Sequence, residues 1–268
     1  MTDLPDLFRL DGKTALVTGG ASFLGFDIAS ALAEAGCAVC VTSRDLAKAE
    51  AAAARLAAAH GVKTIGLSLD VRDDASIARM ADQAAAALGG IDILVNNSGG
   101  GAGKSLSVLT ARDIADIRDV IDTNLTGTIL VTRCVVPGMI ARGTGKIINL
   151  GSIAGLVGRD RRIYEGAGMK GQPVDYAAAK AGIIGLTRDL AGWLSPQGIN
   201  VNTISPGGFG PRDLPADFVA GYGDKTPLGR MGRDGMDIKG AALFLASAAS
   251  DYVTGHNLVV DGGFSNWK

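Results

Sequence analysis

Residues 14–25 read "TALVTGGASFLG". A short apolar run is followed at once by a turn with several glycines, and the next residues, to about Ala35, have the composition of a helix. Glycines allow tight turning and close backbone approach, while the helix start offers amide donors and a positive dipole end to a pyrophosphate. The stretch therefore predicts a strand, a phosphate-binding turn and a helix.

Six further apolar runs along the chain resemble this first strand. The seven runs are "TALVT" (14–18), "AVCVTS" (38–43), "TIGLSL" (64–69), "IDILVN" (91–96), "KIINLGS" (146–152), "INVNTIS" (199–205) and "NLVVDGG" (257–263). Helix-forming segments such as "LAKAEAAAARLAAAH" separate most of them, and this alternation predicts parallel pairing with helices on both faces. We expect an α/β fold, a Rossmann-type doubly wound parallel sheet of seven strands, as one domain over residues 1–268.

Composition excludes several classes of function. The 26 basic and 27 acidic residues are spread along the chain and give a net charge of −1, so no nucleic-acid surface is expected. No uninterrupted apolar run reaches membrane-spanning length, and three cysteines are too few for a disulfide framework. We expect a soluble, cytoplasmic protein that binds no membrane. With two histidines, a multi-histidine metal site is impossible and no metal is predicted.

Cys37 and Cys40 form a C-x-x-C motif, which at a helix start could be redox-active or bind a metal. Here the motif lies on a predicted buried strand, where positions three apart face opposite sides of the sheet. A structural role is therefore predicted for both cysteines.

Two tyrosines compete for a catalytic role. A tyrosine acts as a general acid near neutral pH only if its phenolate is stabilised, and a lysine on the same helical face could do this. Tyr176 lies in "DYAAAKAGIIGLTRDLAGWL", a predicted helix that places Lys180 one turn away on the same side. Tyr164 lies in "RIYEGAGMKG", where three glycines oppose a regular helix and leave Lys170 with no fixed geometry to it. Spacing favours Tyr176.

At this point the chain resembles the short-chain dehydrogenase/reductase family over nearly its whole length. The matching motifs, in order, are "TGGASFLG" (18–25), "LDV" (69–71), "NNSG" (96–99), Asn124 in "DTNLTG", Ser152 in "NLGSIAG", "YAAAK" (176–180), "SPGG" (205–208) and the closing "YVTGHNLVVDGG". Each motif alone is modest, whereas their joint order and their placement after strands are specific.

The resemblance implies a catalytic set of four residues. Tyr176 would be the general acid in reduction and the base in oxidation, and Lys180 would lower the pKa of the tyrosine and hold the nicotinamide ribose. Ser152 would hydrogen-bond the substrate oxygen, and Asn124 would hold a water that links Lys180 to solvent. Hydride transfer leaves alkoxide-like charge on the substrate oxygen, which a hydroxyl donor and a proton source stabilise.

The expected cofactor is NADP(H), with NAD(H) as the alternative. Ser43 and Arg44 follow the second strand, where an NAD-preferring site usually has a carboxylate, and a guanidinium there can pair with a 2′-phosphate. The resemblance assigns Asp70 and Val71 to the adenine, and Asn97 and Gly99 to the floor under its ribose. The remaining expected cofactor contacts are Gly19, Ser22, Phe23, Leu24, Tyr176, Lys180, Pro206 and Gly207.

The chain departs from the family pattern in three main places. Phe23 replaces the usual second glycine of the first motif, and the segment after "SPGG" lacks the threonine that often meets the nicotinamide carboxamide. Ser152 and Tyr176 are 24 positions apart, about eleven more than usual, so an insertion at about 158–173 must loop out beside the active site. Its polar members Arg159, Arg161, Arg162, Tyr164 and Lys170 could contact an anionic substrate, or form a solvated loop or a subunit contact.

The expected function is NAD(P)-dependent hydride transfer to or from a secondary alcohol or ketone, with a polyol or sugar acid of the gluconate 5-dehydrogenase kind as substrate. A 3-oxoacyl-(acyl carrier) reductase is the alternative within the same class, and a non-catalytic nucleotide-sensing protein is an alternative outside it. Residues 208–230, including Arg212, predict a lid with one short amphipathic segment. A homotetramer is expected from the family-like C-terminal region, where Phe264 and Trp267 would otherwise be exposed.

Overall fold

A computed structural model describes residues 3–100, 107–210 and 213–266. Seven parallel strands form one sheet in the order β3-β2-β1-β4-β5-β6-β7, which confirms the predicted fold class. The strands are β1 (Thr14–Val17), β2 (Ala38–Ser43), β3 (Thr64–Ser68), β4 (Ile93–Asn96), β5 (Gly145–Leu150), β6 (Ile199–Pro206) and β7 (Asn257–Val260). The order reverses between β1 and β4, so a ligand crevice is expected beyond their carboxyl ends.

Helices cover both faces of the sheet. They are α1 (Phe23–Glu34), α2 (Leu46–His60), α3 (Asp74–Leu88), α4 (Ile114–Ile121), α5 (Gly127–Arg142), α6 (Arg162–Gly166), α7 (Val174–Leu194), α8 (Ala216–Asp224) and α9 (Lys239–Ala246). An aspartate side chain caps the start of three of them: Asp45 for α2, Asp73 for α3 and Asp113 for α4. Each accepts from a backbone N–H of the first turn, which replaces a hydrogen bond that the helix cannot make internally.

Two hydrophobic clusters form the core, one on each face of the sheet. Cys37 belongs to the cluster under α1 and α9, and Cys40 to the cluster under α3 and α5. Burial raises the pKa of both thiols to about 12. The two cysteines therefore pack in the core, as expected from their spacing on a strand.

Residues Ile114–Arg142 form one helical run that is long and apolar enough, by length and composition, to cross a membrane. Within it, Asp122–Thr126 is a π-helical segment that joins α4 to α5. Val131, Val135 and Met139 of this run are buried against the sheet in the second core cluster. Packing inside the domain thus accounts for part of this apolar composition.

The insertion contains a helical turn that the sequence analysis did not expect. Tyr164 lies in α6, because Asp160 accepts a hydrogen bond from the Arg162 N–H at 3.1 Å and Ile163 packs with Tyr164 in a small apolar cluster. The prediction of no regular structure around Tyr164 was wrong, although the turn ends after five residues at the glycines that motivated it.

The insertion packs on the segment predicted to be a lid, which contains α8. The Tyr164 and Phe218 rings lie 5.1 Å apart, and the Lys225 Nζ donates to Asp160 Oδ2 at 2.7 Å. Phe264 is half-buried and stacks on Tyr222 with ring centroids 4.6 Å apart, so its own chain covers part of the ring. Arg212 and Trp267 lie outside the described residues.

Candidate active site

A cleft of about 560 Å³ lies beyond the carboxyl ends of the strands. The predicted residues that line it are Gly19, Ser22, Phe23, Leu24, Ser43, Arg44, Asp70, Val71, Asn97, Gly99, Tyr176, Lys180 and Pro206. Asn124 contacts this wall through Gly100, and Ser152 follows the lining residue Gly151. Gly207 lies against Asp261 and Tyr222, where an added Cβ would come within 2.8 Å and 3.1 Å of their side chains.

The turn after β1 is held by Asn97. The Asn97 side-chain amide donates to the carbonyls of Thr18 and Gly19 at 3.0 and 3.1 Å. A Cβ at Gly25 would lie 2.4 Å from that amide nitrogen and from the Gly19 oxygen, so only glycine allows α1 to start this close to the turn. Asn97 therefore positions the turn.

The backbone of Phe23 has a φ angle in the left-handed region. This conformation explains why the family pattern usually has glycine at this position. Its φ is +49°, the one positive value among the non-glycine residues that the structure describes, and its side chain is 64% exposed. An L-residue pays about 1–2 kcal/mol for this conformation, whereas glycine does not. The bulky side chain is evident from the sequence, whereas the backbone strain that accompanies it is seen only in the structure.

Arg44 and Asp70 lie at the far end of the cleft. Asp70 accepts from Arg72 Nε at 3.0 Å and from its NH2 at 2.7 Å, and this arginine lowers the pKa of the carboxyl to about 2. The exposed Arg44 guanidinium makes no hydrogen bond or ion pair with any residue in the described parts of the chain. Arg44 is therefore free to meet a ligand, while the Asp70 carboxylate is already engaged.

Lys180 is the most deeply buried charged group of the cleft. The lysine is 4% exposed, and its Nζ donates to the Leu150 carbonyl at the end of β5 at 2.7 Å. Burial lowers its pKa to about 8. Lys180 Nζ also lies 5.8 Å from the centre of the Tyr176 ring, as predicted from their spacing of one helical turn.

Asn124 closes the wall beside Lys180. Its Oδ1 accepts from the Gly100 N–H at 2.7 Å, and its Nδ2 donates to the Val120 carbonyl at 2.9 Å. The π-helical segment places this fully buried side chain between α4 and the end of β4. A Cβ at Gly99 would lie 2.6 Å from Asn124 Oδ1, so these residues pack without room for another side chain.

Ser152 and Tyr176 carry the two hydroxyls that were predicted to bind the substrate oxygen and to transfer its proton. The Ser152 Oγ accepts from the Ala154 N–H at 3.1 Å, which leaves its own proton to donate. Burial raises the pKa of Tyr176, while a hydrogen bond from Ser152 and the charge of Arg159 act in the opposite direction. In this structure the phenol is therefore the protonated form at neutral pH.

A buried ion pair that no sequence motif indicated fixes the start of α7, the helix that carries Tyr176 and Lys180. Arg112 Nε donates to Asp175 Oδ1 at 3.1 Å and its NH2 donates to Oδ2 at 2.8 Å, with 0% and 3% of the two side chains exposed. Asp175 directly precedes Tyr176, so the pair orients the turn of α7 that carries the phenol. The partners are 63 positions apart, and no local pattern links them.

The chain is similar to known reductases and dehydrogenases over nearly its whole length. The family model described as enoyl-(acyl carrier protein) reductase matches residues 19–265. The 3-oxoacyl-[acyl-carrier-protein] reductase FabG of Aquifex aeolicus is 35% identical over 95% of this chain and 98% of its own length. The 2-dehydro-3-deoxy-D-gluconate 5-dehydrogenase of Formosa agariphila is 35% identical over 96% of this chain and 94% of its own.

A solved structure extends the likeness to three dimensions. The gluconate 5-dehydrogenase from Burkholderia cenocepacia J2315, in complex with NADP and tartrate, superposes with a TM-score of 0.88 at 35% identity. The match covers 99% of this chain and 100% of that one.

The strain at Phe23 predicts an order of stability among variants. Phe23→Gly should be more stable than Phe23→Ala by about 1 kcal/mol, because both remove the ring but only glycine relieves the positive φ. Urea denaturation of both variants measures this difference. Equal stabilities would show that the backbone at this position is not strained.

Proposed function

The chain belongs to the short-chain dehydrogenase/reductase family and is an NAD(P)-dependent oxidoreductase; on this basis we propose that it interconverts a hydroxyl and a ketone on a polyol or sugar acid, with NADP(H) preferred. The observation that carries the proposal is the convergence of Ser152, Tyr176 and the buried Lys180 at one end of the cleft. Arg44 lines the opposite end.

The cleft suits a dinucleotide. The Ser22 side chain makes no capping hydrogen bond to α1 within the described residues, so the first amides of this helix remain available to a phosphate. When bound, the nicotinamide supplies or accepts the hydride. Ser22 to Leu24 would hold the pyrophosphate, and Arg44 the 2′-phosphate.

The proton is handled by three side chains. Tyr176 donates the proton from its Oη to the substrate oxygen in reduction, and takes it back in oxidation. Ser152 donates a hydrogen bond to the same oxygen through its O–H, which stays available while one lone pair of Oγ accepts from the Ala154 N–H. Lys180, anchored at the Leu150 carbonyl, stabilises phenolate character on Tyr176 through its positive charge.

A 3-oxoacyl-(acyl carrier) reductase is the second candidate. The similarity to FabG over nearly the full length favours it. The gluconate dehydrogenase likeness favours a sugar acid, and turnover on sugar acids, polyols and acyl ketones separates the two candidates. A non-catalytic nucleotide sensor is disfavoured, because the chain keeps all of Ser152, Tyr176 and Lys180.

We also propose a homotetramer in the cytoplasm. Helices α5 and α7 form an apolar groove whose rim includes Ile129 and Trp193, 42% and 59% exposed. A second copy can cover it by twofold symmetry, because the same two helices present the same face on each subunit. The exposed free thiol of Cys134 suits a reducing compartment. Light scattering that shows a monomer at micromolar concentration would contradict the assembly.

Tyr176→Phe should lower turnover by about a thousandfold, because it removes the proton donor while the ring remains. Cofactor affinity should stay nearly unchanged. Tyr164→Phe is the matched control and should leave the chemical step intact. Single-turnover kinetics and a cofactor titration on both variants test this, and loss of activity in Tyr164→Phe alone would reverse the assignment.

NADPH should bind more tightly than NADH by about 10-fold or more, because Arg44 can pair with the additional phosphate. Ser43→Asp should reverse the preference, since a carboxylate there repels the phosphate and can accept from a ribose hydroxyl. Dissociation constants at matched ionic strength provide the measurement. Equal dissociation constants for NADPH and NADH in the parent protein would contradict the proposed contact of Arg44 with the 2′-phosphate.

A further inference from the structure

A second cavity, of about 210 Å³, is built by the insertion beside the catalytic helix. Its lining includes Arg159, Arg161, Tyr164, Lys170 and Gln172. Arg162, the remaining basic residue of the insertion, instead pairs with Asp160 through two hydrogen bonds of 2.8 Å. Four of the five polar residues singled out in the insertion therefore face one small space.

Arg159 is held in this cavity with part of its guanidinium unsatisfied. Its NH2 donates to the Pro173 carbonyl at 3.0 Å, whereas its NH1 is buried and has no hydrogen-bond partner among the residues that the structure describes. Burial lowers the pKa of this arginine, which reflects the cost of keeping its charge away from water. An anion at NH1 would compensate that cost.

Gln172 contributes an unsatisfied hydrogen-bond acceptor to the same cavity lining. Its Oε1 is buried without a hydrogen-bond partner in the described parts of the chain. A carbonyl oxygen of this kind accepts from a hydroxyl group. Two residues of the cavity lining thus carry an unsatisfied cationic donor and an unsatisfied acceptor, which a molecule with a carboxylate and a nearby hydroxyl would satisfy together.

The charges around the cavity favour an anion. Arg161 and Lys170 line it with Arg159, and Glu165 is the acidic residue of the lining. Two other carboxylates near the insertion are already paired. Asp160 accepts from Arg162 and Lys225, and Asp175 from Arg112. The lining therefore carries more positive than negative charge.

The cavity is connected to the catalytic residues through the start of α7. Arg159 binds the carbonyl of Pro173, the N-cap residue of α7, three positions before Tyr176. The charge of Arg159 also acts on the Tyr176 phenol. A ligand group held at Arg159 therefore lies next to the start of the helix that carries Tyr176.

We propose that this cavity is the subsite for the acid end of a hydroxy- or oxo-carboxylic acid substrate. Arg159 pairs with the carboxylate, and Gln172 accepts a hydrogen bond from a neighbouring hydroxyl. This assignment rests on the proposed function and narrows its substrate class from polyols and sugar acids to the acids.

Calorimetric titration of the NADP⁺-saturated protein with D-gluconate, and with its neutral counterpart D-glucitol, tests the subsite; the parent and all variants carry Tyr176→Phe in this experiment, which prevents oxidation of the ligand by NADP⁺. Arg159→Gln should weaken gluconate binding by about 30-fold and glucitol binding by less than about twofold, since only the acid loses a charged hydrogen bond. Arg159→Lys should be intermediate, because it keeps the charge without the planar donor pair. Arg162→Gln is the matched control on the same insertion and should bind gluconate like the parent.

Two results would overturn the subsite. One is that the parent protein does not bind gluconate, and the other is that Arg159→Gln weakens gluconate and glucitol equally or leaves both unchanged. Turnover assays on the parent protein test the proposed function separately. If no alcohol or ketone is converted with either nicotinamide, that function fails, whereas selective loss of gluconate binding in Arg159→Gln still supports the subsite.

Discussion

The hydrogen bond from Lys180 Nζ to the Leu150 carbonyl is the constraint on which the site depends. A buried ammonium must find an acceptor, and this one finds it at the carboxyl end of β5, so α7 is fixed in register against the sheet. Tyr176, one turn earlier, is thereby placed at the inner end of the cleft. The lowered pKa of Lys180 is the electrostatic cost of this arrangement.

Two different kinds of structure meet at Tyr176. The cofactor side is built from strand ends, whose positions follow from the parallel sheet and from the Asn97 clamp on the first turn. The side that we propose to bind substrate is built from the insertion and the α8 segment, which are joined by the Lys225–Asp160 ion pair and by the contact of Tyr164 with Phe218. Variation on the substrate side can change specificity while the proton-transferring groups stay in place.

Local sequence patterns predicted much of this arrangement. The alternation of apolar runs with helix-forming segments predicted all seven strands and the doubly wound sheet. The spacing of one helical turn predicted that Lys180 lies close to Tyr176. These features depend on neighbours in sequence, where periodicity is informative. The family resemblance added the residues along the cofactor cleft, almost all of which line it.

The features that were missed depend on long-range contacts or on backbone conformation. The Arg112–Asp175 pair joins distant segments, and the α6 turn is stabilised partly by packing within an apolar cluster that includes residues of α8. The positive φ of Phe23 cannot be read from residue type, because an L-residue there opposes the local preference. Each of these features is determined by tertiary contacts or backbone conformation, which cannot be predicted from the pattern of a single sequence.

The pH dependence of kcat/KM for carbonyl reduction, at saturating NADPH, tests the central claim that the charged, buried Lys180 supports proton donation by Tyr176. Burial raises the pKa of Tyr176 above its ordinary value near 10, so the phenol keeps its proton at pH 8, while Lys180 loses its charge around pH 8. The account predicts a plateau below about pH 8 and a fall of about tenfold per pH unit above it. A rate that stays constant or rises from about pH 8 to 10 would contradict it.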